Sequence, residues 1–219
     1  MARLLFEKTG NAVWISHLDL MRLFQRAFKR AGLPLKHTQG FNPRPSVSIA
    51  LPLSVGVQSH CELLDFDIEG EVPDKEVLRQ LLNKALISGV NVLQVYDTGR
   101  KLKELSLMSC EITLIYDKGI PANAVQTIEA LFHGDSVIVE KKSKNGTVEQ
   151  DILPMIHTLT VSCTDSNTLT IQAMICCQNP SLNPTQIIHA IDRYLPDYSP
   201  DHTQCCRIEI YDSNRKLFR

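Results

Sequence analysis

The feature that most constrains the fold is an ordered succession of alternating and helix-periodic segments in the first half of the chain. Alternating apolar and polar residues predict strands, and apolar residues spaced three and four apart predict amphipathic helices. The predicted elements are strands at residues 2–8, 46–51, 60–68 and 90–96 and helices at residues 16–32 and 73–86. Their order, β-α-β-β-α-β, is that of the split βαβ unit.

The second half repeats this order with one additional strand pair. Its predicted segments are residues 106–117, 121–133, 136–142, 155–163, 168–177, 183–195 and 205–212. After the strand at 136–142, the sequence KNGT (144–147) predicts a tight hairpin turn, because Asn-Gly suits such turns. We therefore predict an α+β protein of two ferredoxin-like units, each an antiparallel sheet with helices on one face. The predicted domains are residues 1–97 and 106–219, joined by a linker at 98–105.

The first predicted helix has a clear start and a clear end. Ser16 can cap it, and Asp19 follows three residues later, as in a capping box in which Asp replaces Glu. Gly32, followed by Pro34, ends it. Four basic residues fall mainly on the face opposite the apolar stripe: Arg22, Arg26, Lys29 and Arg30. This stripe suits the phosphates of a nucleic acid, and the alternative is an ordinary solvated helix face.

Positive charge is concentrated at the start of the chain. Residues 1–44 hold eight basic and two acidic side chains, whereas the net charge of the whole chain is −1. The first 44 residues therefore carry +6 and the remaining 175 carry −7. This asymmetry indicates a basic face for an anionic partner, although a dispersed solvated face would give the same count.

The connector KHTQGFNPRPSV, residues 36–47, is unusually stiff. Pro43 and Pro45 fix the backbone on both sides of Arg44, so that its guanidinium loses less entropy on meeting a phosphate or carboxylate. We predict that the connector lies beside the N-terminus of the first helix, an anion-attracting end, and forms one ligand site with it. The predicted site comprises His17, Asp19, Arg22, Gln39, Phe41, Asn42 and Arg44. The alternative is that Asn42-Pro43 is only a turn and His17 only a helix-start residue.

Catalytic and metal chemistry have less support in the sequence. It contains no nucleophile elbow, phosphate-binding loop or paired-carboxylate signature. The enzymatic alternative uses His17 as general base with Asp19, Arg44 and Asp151, although Asp151 could equally cap a turn. The seven cysteines form no CxxC motif, and adjacent cysteines in a strand point to opposite faces. We therefore predict neither a metal nor a cofactor.

Composition indicates a location in the cytoplasm. No run approaches the 18 or more apolar residues of a membrane span. The N-terminal residues have the alternating pattern of a strand and do not resemble a signal peptide. An odd number of cysteines without disulfide-rich spacing fits a reducing compartment. We expect a cytoplasmic protein that does not associate with membranes.

The segment SHLDLMRLFQRAFKRAGLPLKHTQGFNPRPSVSIALPLSVGVQSHCELLDFDI, residues 16–68, resembles the signature block of the radical-SAM-linked proteins, a bacterial domain family. The resemblance is close over residues 3–68 and looser beyond, chiefly through TVEQDILPMI. Thr38 stands where the family pattern usually has Ser, a change that keeps the hydroxyl. The pattern selects Ser16, His17, Asp19, Arg22, Gly40, Phe41, Asn42, Pro43, Pro45, Gly56, Ser59 and Glu62.

The resemblance implies a partner. Members of that family are encoded beside, or fused to, a radical S-adenosylmethionine protein, often near a ribonuclease of the E/G type and ribosomal protein genes. The present sequence has no CxxxCxxC motif, so that any radical chemistry would belong to the partner.

Residues and resemblance together predict a non-catalytic accessory protein that presents RNA, or an RNA–protein substrate, to that partner. Arg22, Arg26, Lys29 and Arg30 would contact phosphates, and DNA is not expected as a ligand. One alternative is an enzyme acting on RNA with His17 as general base. A further alternative is a protein–protein adaptor that docks the radical S-adenosylmethionine enzyme.

Overall fold

The protein is described here by a computed structural model that covers residues 2–143 and 146–219. The chain divides into two units, one ending at Glu104 and also including Arg219, the other comprising Leu105–Phe218. Within the predicted linker, Leu102–Glu104 form a short 3-10 helix, and Leu105 already belongs to a strand.

The first unit is a four-stranded antiparallel sheet with two helices. Its elements are β1 (Ala2–Lys8), α1 (His17–Arg30), β2 (Val47–Ile49), β3 (Gln58–Phe66), α2 (Lys75–Ala85) and β4 (Val90–Asp97). The strand order is β4-β1-β3-β2, and every neighbouring pair is antiparallel. The predicted strand at 46–51 is reduced to β2, and Leu51 has a left-handed φ of 45° that ends extended structure.

Both helices of the first unit pack on one face of this sheet. Leu4 and Phe6 alternate along β1 toward the same core as Leu20 and Phe24 of α1 and Leu78 of α2. The Phe6 and Phe24 rings meet edge to face with centroids 4.7 Å apart, a favoured aromatic geometry. Sheet and helices thus share one buried apolar cluster.

The second unit has the same strand order. Its elements are β5 (Leu105–Ile115), α3 (Ala124–Phe132), β6 (Ile138–Ser143), β7 (Gly146–Asp151), β8 (Ile156–Cys163), β9 (Thr168–Cys176), α4 (Thr185–Tyr194) and β10 (His202–Asp212). The main sheet runs β10-β5-β9-β8, all antiparallel, and β6 pairs with β7 in a separate ribbon. The predicted KNGT turn includes Lys144 and Asn145, which lie outside the described residues. The predicted α+β class is confirmed, with four α-helices in the described residues.

The start of α1 follows the predicted capping box. Ser16 Oγ accepts the Asp19 amide at 3.2 Å and donates to Asp19 Oδ2 at 2.7 Å. These bonds, together with the Arg22 guanidinium 3.0 Å from Oδ1, hold the pKa of Asp19 below its usual value. The start of α2 differs from the prediction: Asp74 caps it by accepting the amides of Glu76 and Val77, so that Pro73 precedes the helix.

A buried ion pair joins β1 to β3 on the face opposite the helices. Arg3 Nε lies 2.5 Å from Asp65 Oδ1, and Arg3 Nη2 also donates to the Arg100 carbonyl at 3.0 Å. Both side chains are buried. Because a buried charge is tolerated only with its counter-charge in place, this pair fixes the pairing of β1 with β3 and ties residue 100 to the sheet.

Replacing Asp65 by Asn should destabilise the first unit by about 3–5 kcal/mol, because the Arg3 charge would stay buried without its counter-charge. Urea unfolding followed by circular dichroism would measure the loss. Asp97→Asn is the matched control, since Asp97 forms its ion pair with Lys75 at an exposed position. Equal stability of the Asp65→Asn variant and the wild type would contradict the assigned role of the pair.

Replacing Ser16 by Ala should destabilise α1 by about 1 kcal/mol and raise the pKa of Asp19 toward its ordinary value. A lowered folded-state pKa stabilises the fold above the unfolded-state pKa, near 3.9, and this stabilisation is lost as pH falls through the folded-state pKa. The difference between variant and wild type should therefore be largest at neutral pH and shrink in acid. Carboxylate NMR titration and unfolding at several pH values would measure both effects, and a pH-independent difference would contradict the coupling.

Candidate functional site

The stiff connector folds into a closed, protruding loop. The Thr38 amide donates to the Arg44 carbonyl at 2.8 Å, and the Arg44 amide donates to Thr38 Oγ1 at 3.0 Å. Below them His37 bridges Pro45 as in a short antiparallel ladder. These contacts explain why a residue with a side-chain hydroxyl suits position 38. The Thr38 hydroxyl oxygen accepts a hydrogen bond from the backbone amide of Arg44 on the opposite arm of the loop. We refer to residues 36–46 as the recognition loop.

The tip of the recognition loop lies in solvent. Phe41 is fully exposed, and Gln39, Asn42 and Arg44 are exposed beside it. Gly40 has a φ of 141°, a conformation that a residue with a side chain rarely adopts. The tip therefore holds an aromatic ring outward on a backbone that prolines and loop hydrogen bonds restrict.

A groove of about 600 Å³ separates the base of the recognition loop from the second half of α1. Its apolar floor includes Phe28, Leu33 and Leu35. Its polar residues include Arg26, Lys29, His37 and Glu69. The groove thus presents two permanent cations and one carboxylate next to the exposed loop.

The four residues of the predicted basic stripe have different surroundings. Arg26 and Lys29 line the groove. Arg22 pairs with Asp19 in the first turn of α1, and both side chains are exposed. Arg30 instead donates to the Ala85 carbonyl at the end of α2, where a basic side chain complements an unpaired helix carbonyl.

The predicted single ligand site is divided between opposite ends of the sheet. At one end, the Lys36 amide at the base of the recognition loop donates to the Asp67 carbonyl, just after β3. At the other end, Lys8 pairs with Ser59 and reaches the residues before α1. Ser59 and Asp67 are about 26 Å apart along an extended strand. The expectation that the recognition loop lies beside His17 and Asp19 is therefore wrong, because β3 and α1 carry the two groups apart.

A buried lysine organises the His17 end. Lys8 Nζ donates to the carbonyls of Val13 at 3.1 Å and Ile15 at 2.9 Å, which holds the 3-10 turn Gly10–Trp14 against the start of α1. Burial lowers the pKa of Lys8, and the nearby Glu62 carboxylate opposes that effect. Glu62 is itself buried. The Lys8 charge thus supports backbone structure, and His17 is half-buried in the first turn of α1.

Three exposed apolar side chains lie at this end, and the sequence analysis missed them. They are Trp14, 70% exposed, Leu18 and Val55, and we call them the tryptophan surface. The Trp14 ring lies over Gly56, where an added Cβ would be 3.5 Å from the ring. A lone tryptophan two residues before a helix cap was the available signal.

The second unit contains Asp151 and most of the cysteines. Asp151 Oδ1 accepts the amides of Val137 at 3.0 Å and Leu153 at 3.1 Å, so that this carboxylate caps a turn in its own unit. Burial raises the pKa of the Cys110 thiol to about 12 and that of Cys205 to about 11. These thiols are therefore poor nucleophiles. Among residues 2–143 and 146–219, no group of three His, Cys, Asp or Glu side chains is arranged to hold a metal ion.

The α-helices show no membrane-spanning character. Each helix in the described part of the chain is too short or too polar to cross a bilayer.

Comparison with solved structures shows a likeness of fold. A chain in the crystal structure of a Cbf5-Nop10-Gar1 complex aligns with 95% of this chain and 48% of its own length, at a TM-score of 0.52 and 7% identity. The present chain thus spans about half the length of the chain that it matches. The crystal structure of an unknown protein from Galdieria sulphuraria aligns with 94% of this chain and 96% of its own length, at 9% identity and a TM-score of 0.27, which is too low to support an argument.

Comparison of sequences gives the family. No curated protein matches the chain. A family model described as uncharacterized protein conserved in bacteria (DUF2344) matches residues 2–184. Since this match covers most of its length, the chain belongs to the DUF2344 family of uncharacterized proteins conserved in bacteria.

Proposed function

We propose that the protein is a non-catalytic accessory protein that binds single-stranded RNA on the recognition loop and the adjoining groove, and presents it to a radical S-adenosylmethionine partner. The observation behind the RNA proposal is the fully exposed Phe41 ring on a closed loop whose base, at His37 and Pro45, lines the same groove as Arg26 and Lys29. The partnership rests on the resemblance of residues 16–68 to the radical-SAM-linked proteins.

The chemistry of this surface suits a single strand. An exposed aromatic ring offers a stacking face to any base, and neighbouring cations contact the phosphates on either side. Phe41 supplies the ring, Arg26 and Lys29 supply charge in the groove, and Arg44 supplies a planar fork beside the tip. In an A-form duplex the bases are stacked on one another, whereas unpaired bases can be splayed onto an aromatic side chain.

The closed loop favours binding because it limits the entropy lost on association. The backbone bonds between Thr38 and Arg44 hold the two arms of the recognition loop together before any ligand arrives. Pro43 and Pro45 restrict the arm that contains Arg44. A ligand therefore meets a surface that is already ordered, and less of the contact energy is spent on ordering it.

The fold is in keeping with this function. We infer that both units are ferredoxin-like. Apart from the β6–β7 ribbon, the elements of each unit follow the order β-α-β-β-α-β along the chain. When the four main strands of each unit are numbered along the chain, their order in the sheet is 4-1-3-2. RNA-recognition modules share this arrangement but bind through aromatics on the sheet. In the present protein the proposed aromatic is on a loop, so that fold analogy alone would not identify the surface.

The adaptor function is a second candidate, favoured by the tryptophan surface. Trp14 and Leu18 are largely exposed at the end of the first unit away from the recognition loop. Exposed aromatic and aliphatic side chains next to one another are typical of protein-binding surfaces. An adaptor would use this surface to dock the radical S-adenosylmethionine protein and would not bind RNA.

Replacing Phe41 by Ala should weaken binding of a fluorescent single-stranded oligoribonucleotide by about 1–3 kcal/mol, because one base loses its stacking partner. Fluorescence anisotropy would measure the affinity. The fold should be unaffected, since the ring makes no core contact. Trp14→Ala is the matched control, an exposed aromatic at the opposite end, and should retain the wild-type affinity.

A lack of RNA binding would contradict the RNA proposal. If wild type and both variants fail to bind RNA at low salt, and Trp14→Ala alone prevents co-purification with the co-expressed radical S-adenosylmethionine protein, the chain is an adaptor.

Replacing Arg26 or Lys29 by Gln should make binding less dependent on salt. Each lost phosphate contact should reduce the slope of log affinity against log salt concentration by about 0.7 for a single strand. Affinity titrations at several salt concentrations would measure this slope. Lys84→Gln, at an exposed position in the last turn of α2, is the control and should keep the wild-type slope. Unchanged slopes in the Arg26 and Lys29 variants would exclude the groove as the phosphate track.

A further inference from the structure

The second unit contains a cavity of about 710 Å³ between α4 and the β6–β7 ribbon. This volume lies within the range of small-molecule sites. The cavity is lined by Val139, Glu140, Lys141, Thr147, Asn183, Thr185, Gln186, His189 and Arg193. Thr185, His189 and Arg193 follow one another at intervals of four residues and so form one stripe of α4. Apart from Val139, the lining side chains are polar or charged.

Gln186 is the side chain that indicates a ligand. It is only 6% exposed, and its Oε1 accepts the Asn183 amide at 3.1 Å. That bond fixes the orientation of the amide group, since only the oxygen can accept. Its Nε2 is buried and has no acceptor among the residues that the structure describes. An unpaired buried donor costs about 1–3 kcal/mol, and a ligand acceptor would remove this cost by displacing the side chains that cover Nε2 from the cavity.

Two cations lie on the same cavity. Lys141 Nζ is 3.4 Å from the Ser181 carbonyl and, within the described residues, has no carboxylate partner. Arg193 donates to the Ile138 carbonyl at 3.2 Å and lies 3.5 Å from Glu149. The Arg193 charge is therefore shared with an exposed carboxylate, whereas Lys141 has a charge to offer a ligand.

Two threonine hydroxyl groups and the start of α4 also make the cavity favourable for an anion. Thr147 and Thr185 line the cavity from the ribbon and from the first turn of α4. The first backbone amides of α4 already donate to Asn183, so that they have no hydrogen bond to offer a ligand. The start of α4 still contributes the partial positive charge of the helix dipole. Glu140 is the opposing carboxylate in the lining, and it is exposed.

We propose that this cavity binds a small organic molecule through a phosphate group. Lys141 supplies most of the charge that neutralises the phosphate, Arg193 adds to it, the Gln186 amide donates to one of the phosphate oxygens, and a threonine hydroxyl donates to another. A phosphate presents several acceptor oxygens, which matches donors that come from both the helix and the ribbon. The organic part occupies the remaining volume beside His189. This site lies in the second unit and is independent of the RNA proposal.

Ribose 5-phosphate is the probe, added to the full-length protein labelled with 15N and followed by NMR. It should shift the side-chain amide resonances of Gln186 and the backbone resonances of His189, whereas ribose, which lacks the phosphate, should shift neither. Lys141→Met keeps the apolar stem, removes the charge, and should weaken binding about tenfold or more. Lys118→Met is the matched control, an exposed lysine in the turn after β5, and should bind as the wild type does.

Three results would overturn the proposal. The first is an absence of shifts with ribose 5-phosphate at millimolar concentrations in the wild type. The second is equal affinity in Lys141→Met and the wild type, which would locate binding elsewhere. The third is inorganic phosphate binding as tightly as ribose 5-phosphate, which would show that the organic part makes no contact.

Discussion

The antiparallel pairing of β1 with β3 determines where every candidate residue of the first unit lies. Ala2 opposes Phe66 and Lys8 opposes Ser59, so that the end of β1 that leads into α1 lies beside the start of β3. The other end of β3 lies at the base of the recognition loop, where the Lys36 amide donates to the Asp67 carbonyl. α1 then returns along the sheet for 14 residues, about 20 Å. One end of the unit thereby receives the recognition loop, and the other receives the start of α1 and the tryptophan surface.

Charged side chains at both ends of β1 stabilise this register in different ways. Arg3 is held by a carboxylate on the neighbouring strand and by a linker carbonyl, whereas Lys8 is held mainly by two backbone carbonyls. Both are fully desolvated, and neither could be buried without these partners. A shift by one residue would turn Arg3 toward the apolar core that contains Leu4 and Phe6, which makes the register specific.

Local signals in the sequence predicted the elements well and their assembly poorly. The boundaries of α1 follow from Ser16, Asp19 and Gly32, because capping and left-handed termination depend on neighbours in the chain. The grouping of His17 with Arg44 failed because proximity was inferred from a short separation in sequence, whereas an intervening helix carries the chain across the whole sheet. Arg30 was assigned to a phosphate stripe, yet its partner is a carbonyl 55 residues away, a contact that periodicity cannot predict. Likewise, the unpaired donor of Gln186 depends on packing between α4 and a ribbon, and nothing in its neighbours marks it.

The recognition loop shows how stability and function separate within one segment. The hydrophobic effect favours burial of an aromatic ring, and removing a Phe side chain from water stabilises a fold by about 1.5–3 kcal/mol. Phe41 forgoes this gain entirely, while Thr38, Pro43 and Pro45 restrict the backbone that keeps it outside. If the loop served only to connect α1 to β2, a flexible polar tip would connect them equally well without exposing an apolar ring. A ring held in water on an ordered loop is therefore better explained by a contact with a partner than by a contribution to folding.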